Sequence, residues 1–220
     1  MKYNAIIFDL DGVICFTDKY HYLAWKQIAD EEGIEFNEEI NKRLRGVSRM
    51  ASLDIILEKA ARAYSKKEKQ ALADRKNAAY VRLLNQMTPA SLSDDTVRTL
   101  QEFKKMGIKT VIASSSKNAK LILHKVGLEN FFDGVADGTV IAHSKPHPEV
   151  FIKAIDLIKA RPHECLVVED AVAGIEAAYR GGFDSAGLGD AVNHKKVTYK
   201  LGKLSDLLDI VRGGSATAIA

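Results

Sequence analysis

The sequence predicts an α/β fold: a Rossmann-like parallel sheet with helices on both faces, into which an all-helical cap is inserted. Three observations carry this. Short runs rich in Ile, Val and Ala at 5–9, 109–114 and 165–169 each stop abruptly at polar residues, as buried strands do. Amphipathic stretches separate the later runs, and a strand, helix, strand order calls for a parallel sheet wrapped on both sides. The interval 16–87 shows helical patterns and no strand-like run.

Taken in order, the first strand leads directly into the insert. There the apolar sets Tyr20, Leu23, Ala24, Ile28, then Met50, Leu53, Leu57, Ala60, then Leu72, Tyr80, Leu84 recur at helical spacing. The connections near 14–17 and 87–92 read as a pair of hinges, the second stiffened by Pro89. The chain thus divides into a core of residues 1–15 and 88–220 and a cap of residues 16–87. Beyond the second hinge a helix over 96–106 has Val97, Leu100 and Phe103 on one face, Asp94 or Asp95 as cap, and Gly107 as its stop. Another spans 119–126, with Asn118 as N-cap and Gly127 as terminator. A third begins at Pro148, where a missing N–H costs nothing, and carries Val150, Phe151, Ala154 and Leu157. An Ala-rich helix starts near Ala171. The small residues from Gly213 onward have little to pack and are expected to fray.

The bulk properties exclude several classes. The 220 residues carry a net charge of +3, but Lys and Arg alternate with Asp and Glu instead of forming a basic block, so no nucleic-acid partner is expected. No apolar stretch approaches membrane-spanning length, and the opening Met1-Lys2-Tyr3-Asn4 leads into an apolar run broken by Asp9, without a signal-peptide core. These features read as a cytoplasmic protein without a membrane partner, taken as a monomer. Cys15 and Cys165 sit beside apolar runs and read as buried free thiols with no catalytic role.

Chemistry-bearing residues gather at the ends of the strands, where parallel sheets bind their ligands. The first strand ends Phe8-Asp9-Leu10-Asp11-Gly12. Side chains two apart in extended chain share a face, so Asp9 and Asp11 can address one group while Gly12 permits a sharp turn. Neighbouring carboxylates repel, and a hard divalent cation such as Mg²⁺ relieves that repulsion. After the second run, Ser114-Ser115-Ser116-Lys117-Asn118 is a hydroxyl-rich turn opening a helix, suited to a phosphate. The third run ends in Glu169-Asp170, a further acidic pair able to complete an oxygen shell. Lys145, before the Pro148 helix, could neutralise charge between Asp9 and a phosphate.

In this order and spacing the four elements resemble the haloacid dehalogenase superfamily, whose motifs are Asp-x-Asp, a Ser or Thr at a second strand end, a Lys and a late acidic pair. The resemblance implies Asp9 as nucleophile, Asp11 as general acid/base, Ser114 and Lys145 as phosphate ligands, and a metal held among Asp9, Asp11, Glu169 and Asp170. In the insert, His21-Tyr22-Leu23-Ala24-Trp25-Lys26, Arg45-Gly46-Val47-Ser48-Arg49 with Ser52, and Arg75-Lys76-Asn77 are similar to that superfamily's sugar-phosphomutase branch. Arg45 and Ser115 depart from the Lys and Ala of its best-known members. The branch interconverts β-D-glucose 1-phosphate and glucose 6-phosphate through β-glucose 1,6-bisphosphate. On that resemblance Arg49 holds the non-reacting phosphate, Lys117 and Asn118 grip that phosphate or the sugar from the core side, and Trp25 either offers a flat wall to the sugar or packs into the core. His21 either hydrogen-bonds Asp11 or the backbone of the hinge that ends at Thr17 when the cap closes, or is a structural histidine, and Gly46 lets the cap loop approach backbone-first. Val47, Ser48, Ser52, Ser115 and Ser116 complete the substrate-binding set. The nearest alternative is a sugar-phosphate phosphatase of the same superfamily; a receiver-type signalling module would lack both the Asp-x-Asp spacing and the insert.

Overall fold

The structure, a computed structural model, describes residues 2–45 and 47–213. Its centre is β1 (Ala5–Phe8), a four-residue strand in which every side chain is buried. The other strands are β2 (Lys109–Ala113), β3 (Gly134–Ala136), β4 (Cys165–Glu169), β5 (Asp184–Gly187) and β6 (Tyr199–Lys200). All pair in parallel, in the order β3-β2-β1-β4-β5-β6. The chain therefore winds outward from β1 first to one side and then to the other, and the crevice at that switch lies between β2 and β4, beyond the end of β1.

Alternation along β1 assigns the two faces. Ile6 and Phe8 join a cluster with Leu100, Phe103, Ile122 and Leu207, whereas Ala5 and Ile7 pack with Val150, Phe151, Ala177 and Ala178. The first face is covered by α5 (Asp94–Lys105), α6 (Ala119–Lys125) and α9 (Leu207–Arg212), and the second by α7 (Glu149–Ile158) and α8 (Val172–Arg180). Fully burying a Phe side chain such as Phe103 or Phe151 contributes roughly 1.5–3 kcal/mol, so these anchors fix the layers.

Between β1 and α5 the described residues form only helices: α1 (Asp18–Glu31), α2 (Glu38–Lys42), α3 (Arg49–Leu57) and α4 (Lys66–Leu84). They enclose a cluster of their own, with Trp25, Ile28, Phe36, Leu53, Ile56 and Leu72. The stems of α1 and α4 instead insert Ala24, Ala79, Tyr80 and Leu84 into the main core. Ser65 opens α4 with a capping box, its hydroxyl accepting from the Glu68 N–H while the Glu68 carboxylate accepts from the Ser65 N–H.

Several local expectations are corrected. Ser93, not Asp94 or Asp95, caps α5 through its Oγ, and the two aspartates sit in the first turn, where they favour the helix dipole. Asn118 stands at the N-cap of α6 without a side-chain cap bond, because its amide is engaged elsewhere. Leu23, Met50 and Leu157 are exposed; Trp25, Ile56 and Ile158 fill the helix faces that pack inward. The expected fraying beyond Gly213 lies outside the described residues.

Candidate active site

The register brings the strand ends level. Phe8 pairs with Ile112 on one side and Val168 on the other, so the residues just beyond them emerge at one height. Asp9 follows β1 and donates its N–H to Val168 O at 2.9 Å. The chain then turns sharply, with Ile14 and Cys15 both donating to Leu10 O. Gly12 is needed here twice over. Its φ of 93° belongs to the left-handed region, and a Cβ would lie 2.1 Å from Asp170 Oδ2.

Lys145 is the only buried cation at this edge among the described residues. Its ammonium contacts the Asp9 carboxylate, donates to Glu169 Oε1 at 2.5 Å and to Ala113 O at 3.1 Å. All three donors of the ammonium are thereby used, and the lysine is locked. Burial works against its charge, but Asp9 and Glu169 outweigh that and raise its pKa above the ordinary lysine value. Glu169 was expected only as a metal ligand; its carboxylate instead also holds Lys145 and, through Oε2, accepts the N–H groups of Asp170 and Ala171.

Room for that carboxylate comes from Gly174 in α8, where a Cβ would lie 1.9 Å from Glu169 Cδ. Glycine inside a helix costs roughly 1 kcal/mol relative to alanine, so clearance is what this position supplies. Gly174→Ala is expected to displace Glu169, release Lys145, lower kcat and cost about 1–3 kcal/mol of stability by overpacking. Thermal unfolding and turnover measured together check this; unchanged values for both would show that the carboxylate has another place to go.

Asp11 faces the cap. Thr17 Oγ1, on a fully buried residue just before α1, donates to its Oδ1, and Ser114 Oγ donates to Oδ2 at 3.5 Å. Burial raises the Asp11 pKa against the lowering effect of the Thr17 hydroxyl. Ser114 Oγ also accepts from Ser116 N–H at 3.0 Å and Ser116 Oγ from Asn118 N–H at 3.1 Å, so hydroxyls staple the turn after β2. Ser115 Oγ is buried and finds no partner among the described residues.

The cap closes over this edge. Arg49 Nη2 and Asn118 Nδ2 both donate to Asn77 Oδ1, at 2.8 and 2.9 Å, joining α3 and α4 to the core. Arg45 spans the same divide, pairing with Asp18 at 2.7 Å and with Asp190 of the core at 2.8 Å. His21 does not hydrogen-bond Asp11, but its backbone N–H donates to Thr17 O at 3.1 Å. It stacks on Tyr80 with ring centroids 4.1 Å apart and receives Lys76 Nζ on Nδ1 at 2.8 Å. Burial, then the charges of Lys76 and Arg49, push its pKa well below the ordinary histidine value, so the ring is a neutral acceptor. Lys76 itself is 3% exposed and lies 5.0 Å from the Trp25 ring and 4.5 Å from that of Tyr80. Burial first, and Arg49 second, bring its pKa down to about 7.

Core and cap together bound a cavity of about 860 Å³. Asp9, Asp11, Ser114, Lys145, Glu169 and Asp170 line its floor, and Ser115, Ser116, Lys117 and Asn118 one wall. Thr17, His21, Trp25, Arg45, Val47, Ser48, Arg49 and Ser52 come from the cap side, although Trp25 is mostly packed into the cap core. Gly46 lies outside the described residues. Lys76 and Asn77 line the cavity as well and were not assigned a role from sequence. A signal for Lys76 was present: it falls on the apolar stripe of α4, between Leu72 and Ala73 on one side and Ala79 and Tyr80 on the other.

A doubly wound parallel sheet that collects four carboxylates and one locked lysine at its carboxyl edge, under a helical lid, defines a capped α/β enzyme. The chain belongs to the haloacid dehalogenase-like hydrolase family, whose model matches residues 3–182. It is 42% identical over 188 residues to a β-phosphoglucomutase of Bacillus subtilis, covering 84% of this chain and 83% of that protein. It is 32% identical to a fructose-1-phosphate phosphatase of Escherichia coli, covering 84% and 95%. Among solved structures, a β-phosphoglucomutase from Clostridium difficile superposes with a TM-score of 0.89 at 36% identity, covering 96% of each chain.

Membership of this family implies a divalent metal ion, and the residues present fit one. Asp9 is pushed well above the usual carboxylate range by burial, against Lys145, with Glu169, Asp11 and Asp170 adding to the rise. Asp170 is raised to about 7 by burial and by the charge of Glu169. One ammonium does not balance four carboxylates, and an all-oxygen donor set suits a hard cation. No helix among the described residues is long and apolar enough to cross a membrane.

Proposed function

We propose that this enzyme is a phosphomutase that interconverts β-D-glucose 1-phosphate and glucose 6-phosphate through β-glucose 1,6-bisphosphate, with Asp9 carrying the phosphoryl group. The observation that carries this reading is a single cavity with two cationic poles. Lys145 stands beside Asp9 on the floor, and Arg49, Lys76 and Lys117 stand on the cap side and the adjoining wall. A bisphosphate places one phosphate at each pole and, once turned round, presents either end to Asp9. The reading divides the chain into a core of residues 1–15 and 88–220 and a cap of residues 16–87, with Thr17 at the junction.

The sequence of bonds follows from the carboxylate pair. In the phosphorylated enzyme the C6 hydroxyl of glucose 1-phosphate gives its proton to Asp11 as its oxygen attacks phosphorus, and the bond from phosphorus to Asp9 breaks. After the bisphosphate reorients, Asp9 attacks the C1 phosphate. The phosphorus–oxygen bond to C1 breaks, that oxygen takes the proton from Asp11, and glucose 6-phosphate leaves the phosphorylated enzyme. Thr17 and Ser114 hold the Asp11 carboxylate in line, Lys145 stabilises charge on the transferring group, and Ser115 Oγ and the backbone of the 114–118 turn offer further donors. Mg²⁺, held by Asp9 and Asp170 within the acidic set of Asp11 and Glu169, would offset charge on the phosphoryl oxygens. Closure of the cap through Arg49, Asn77 and Asn118 keeps water from accepting the phosphoryl group.

Phosphorus NMR of the protein with Mg²⁺ and β-glucose 1-phosphate, primed with a trace of glucose 1,6-bisphosphate, tests this directly. Glucose 6-phosphate should accumulate without matching release of inorganic phosphate. Steady phosphate release would instead support the phosphatase reading, which the similarity to the Escherichia coli enzyme favours. Arg49→Ala should lower mutase turnover by at least about tenfold, the loss of one charge-assisted contact worth roughly 1.5–3 kcal/mol, while sparing hydrolysis of a simple aryl phosphate. Equal losses in both assays would remove Arg49 from the distal pole.

A further inference from the structure

Two residues before Lys145 stands His143 and two residues after it His147, both with exposed imidazoles. Their ring centroids are 4.7 Å apart. Glu149, the first residue of α7, closes the group. Its Oε2 accepts the His143 N–H at 2.8 Å and lies 3.1 Å from His143 Nδ1, and its Oε1 accepts the Ala142 N–H at 3.0 Å. The Glu149 N–H in turn donates to His147 Nδ1 at 3.3 Å. One ligand atom from each of the three side chains falls within 4.8 Å of the others, which no other trio of His, Cys, Asp or Glu achieves among the described residues. The N–H groups of Ala142 and His143 hold the Glu149 carboxyl down to about 2, so it is ionised across the working pH range.

We propose that His143, His147 and Glu149 form a site for a borderline divalent cation of the Zn²⁺ class, separate from the hard-cation site at the sheet edge. Two imidazoles and one carboxylate are the donors that such ions take in preference to Mg²⁺, and water fills the remaining positions. Both rings are exposed, so they can turn toward a shared ion at the roughly 2.0–2.1 Å that zinc requires. Glu149 is already fixed by two backbone N–H groups, which pre-positions the third ligand. Occupancy ties residue 143 to residue 147 and so clips the short loop that delivers Lys145 to Asp9 and Glu169. The ion restrains the loop without touching the cavity floor.

The test is calorimetric titration of ZnCl₂ into the full chain, free of any histidine tag and held in saturating Mg²⁺ so that the oxygen site is filled. One Zn²⁺ per chain is expected, with Zn²⁺ raising the unfolding temperature. The double variant His143→Ala, His147→Ala should bind Zn²⁺ at least about tenfold more weakly, a change of roughly 1.4 kcal/mol, and lose the thermal shift. Because both rings are on the surface, the variant's circular dichroism and its Mg²⁺ titration should match the parent. Absence of Zn²⁺ binding by the parent, or Zn²⁺ binding that survives unchanged in the double variant, overturns the proposal; the second result would assign the ion to the sheet-edge carboxylates.

Discussion

Asp9→Asn should abolish turnover, by a factor of about 10⁴ or more, the scale on which loss of a covalent nucleophile acts. The substitution keeps the side chain's shape and leaves an oxygen for the Lys145 ammonium, which also retains Glu169 and Ala113 O. Folding is therefore expected to survive. It removes a buried carboxylate whose ionisation is already resisted by burial and by three neighbouring carboxylates, so unfolding temperature should stay near that of the parent or rise. What disappears is the oxygen nucleophile. Intact-protein mass spectrometry after mixing with the bisphosphate should show a phosphoryl adduct on the parent and none on the variant. Near-normal turnover, or an adduct of equal yield, would put the covalent step on another residue.

The central strands were legible in the sequence because a parallel sheet buried on both faces demands continuous apolar runs, and β1, β2 and β4 are such runs. β3, β5 and β6 were not. Asp184-Ser185-Ala186-Gly187 has almost no strand propensity, yet β5 pairs with β4 over its whole length. Small residues are required there: a Cβ on Gly187 would lie 2.9 Å from Ala191 O. Packing of the neighbouring turn, which the local sequence does not display, chose those residues.

The floor of the site was legible for a related reason. Strand ends collect ligand groups in any doubly wound sheet, so Asp9, Ser114 and Glu169 are marked by their position after apolar runs. Partnerships across the cap were not marked, since they join residues far apart in the chain. Asn77 meeting Arg49 and Asn118, and Arg45 meeting Asp190, depend on how α3 and α4 settle on the core. The contact of His21 with Lys76 was hidden in the same way, because Lys76 comes from another helix of the same insert.

Lys76→Met should stabilise the protein and cost it activity, and the stabilisation should depend on pH in a defined window. The buried ammonium has its pKa lowered to about 7 from an ordinary value of 10.5. Between those two values the unfolded chain binds more protons at this residue than the folded one, so stability rises with pH across that window. Below pH 7 the lysine is charged in both states and its full burial penalty is present. At 1.36 kcal/mol per unit that penalty is on the order of 4–5 kcal/mol. Against it stands the hydrogen bond to His21 Nδ1, whose loss costs about 1–3 kcal/mol. The variant should thus gain about 2 kcal/mol at pH 7, or roughly 4–8 °C in unfolding temperature for a domain of this size. The gain should shrink and then reverse as pH approaches 10, because the parent lysine is then neutral on burial and keeps its hydrogen bond. Thermal unfolding of both proteins from pH 7 to pH 10 measures the difference, and a pH-independent gap would mean that Lys76 does not carry its charge into the cap. A protein that retains so costly a cation beside Arg49 gains from it elsewhere, and the cavity it lines supplies the use: a second phosphate to be held while the first reacts.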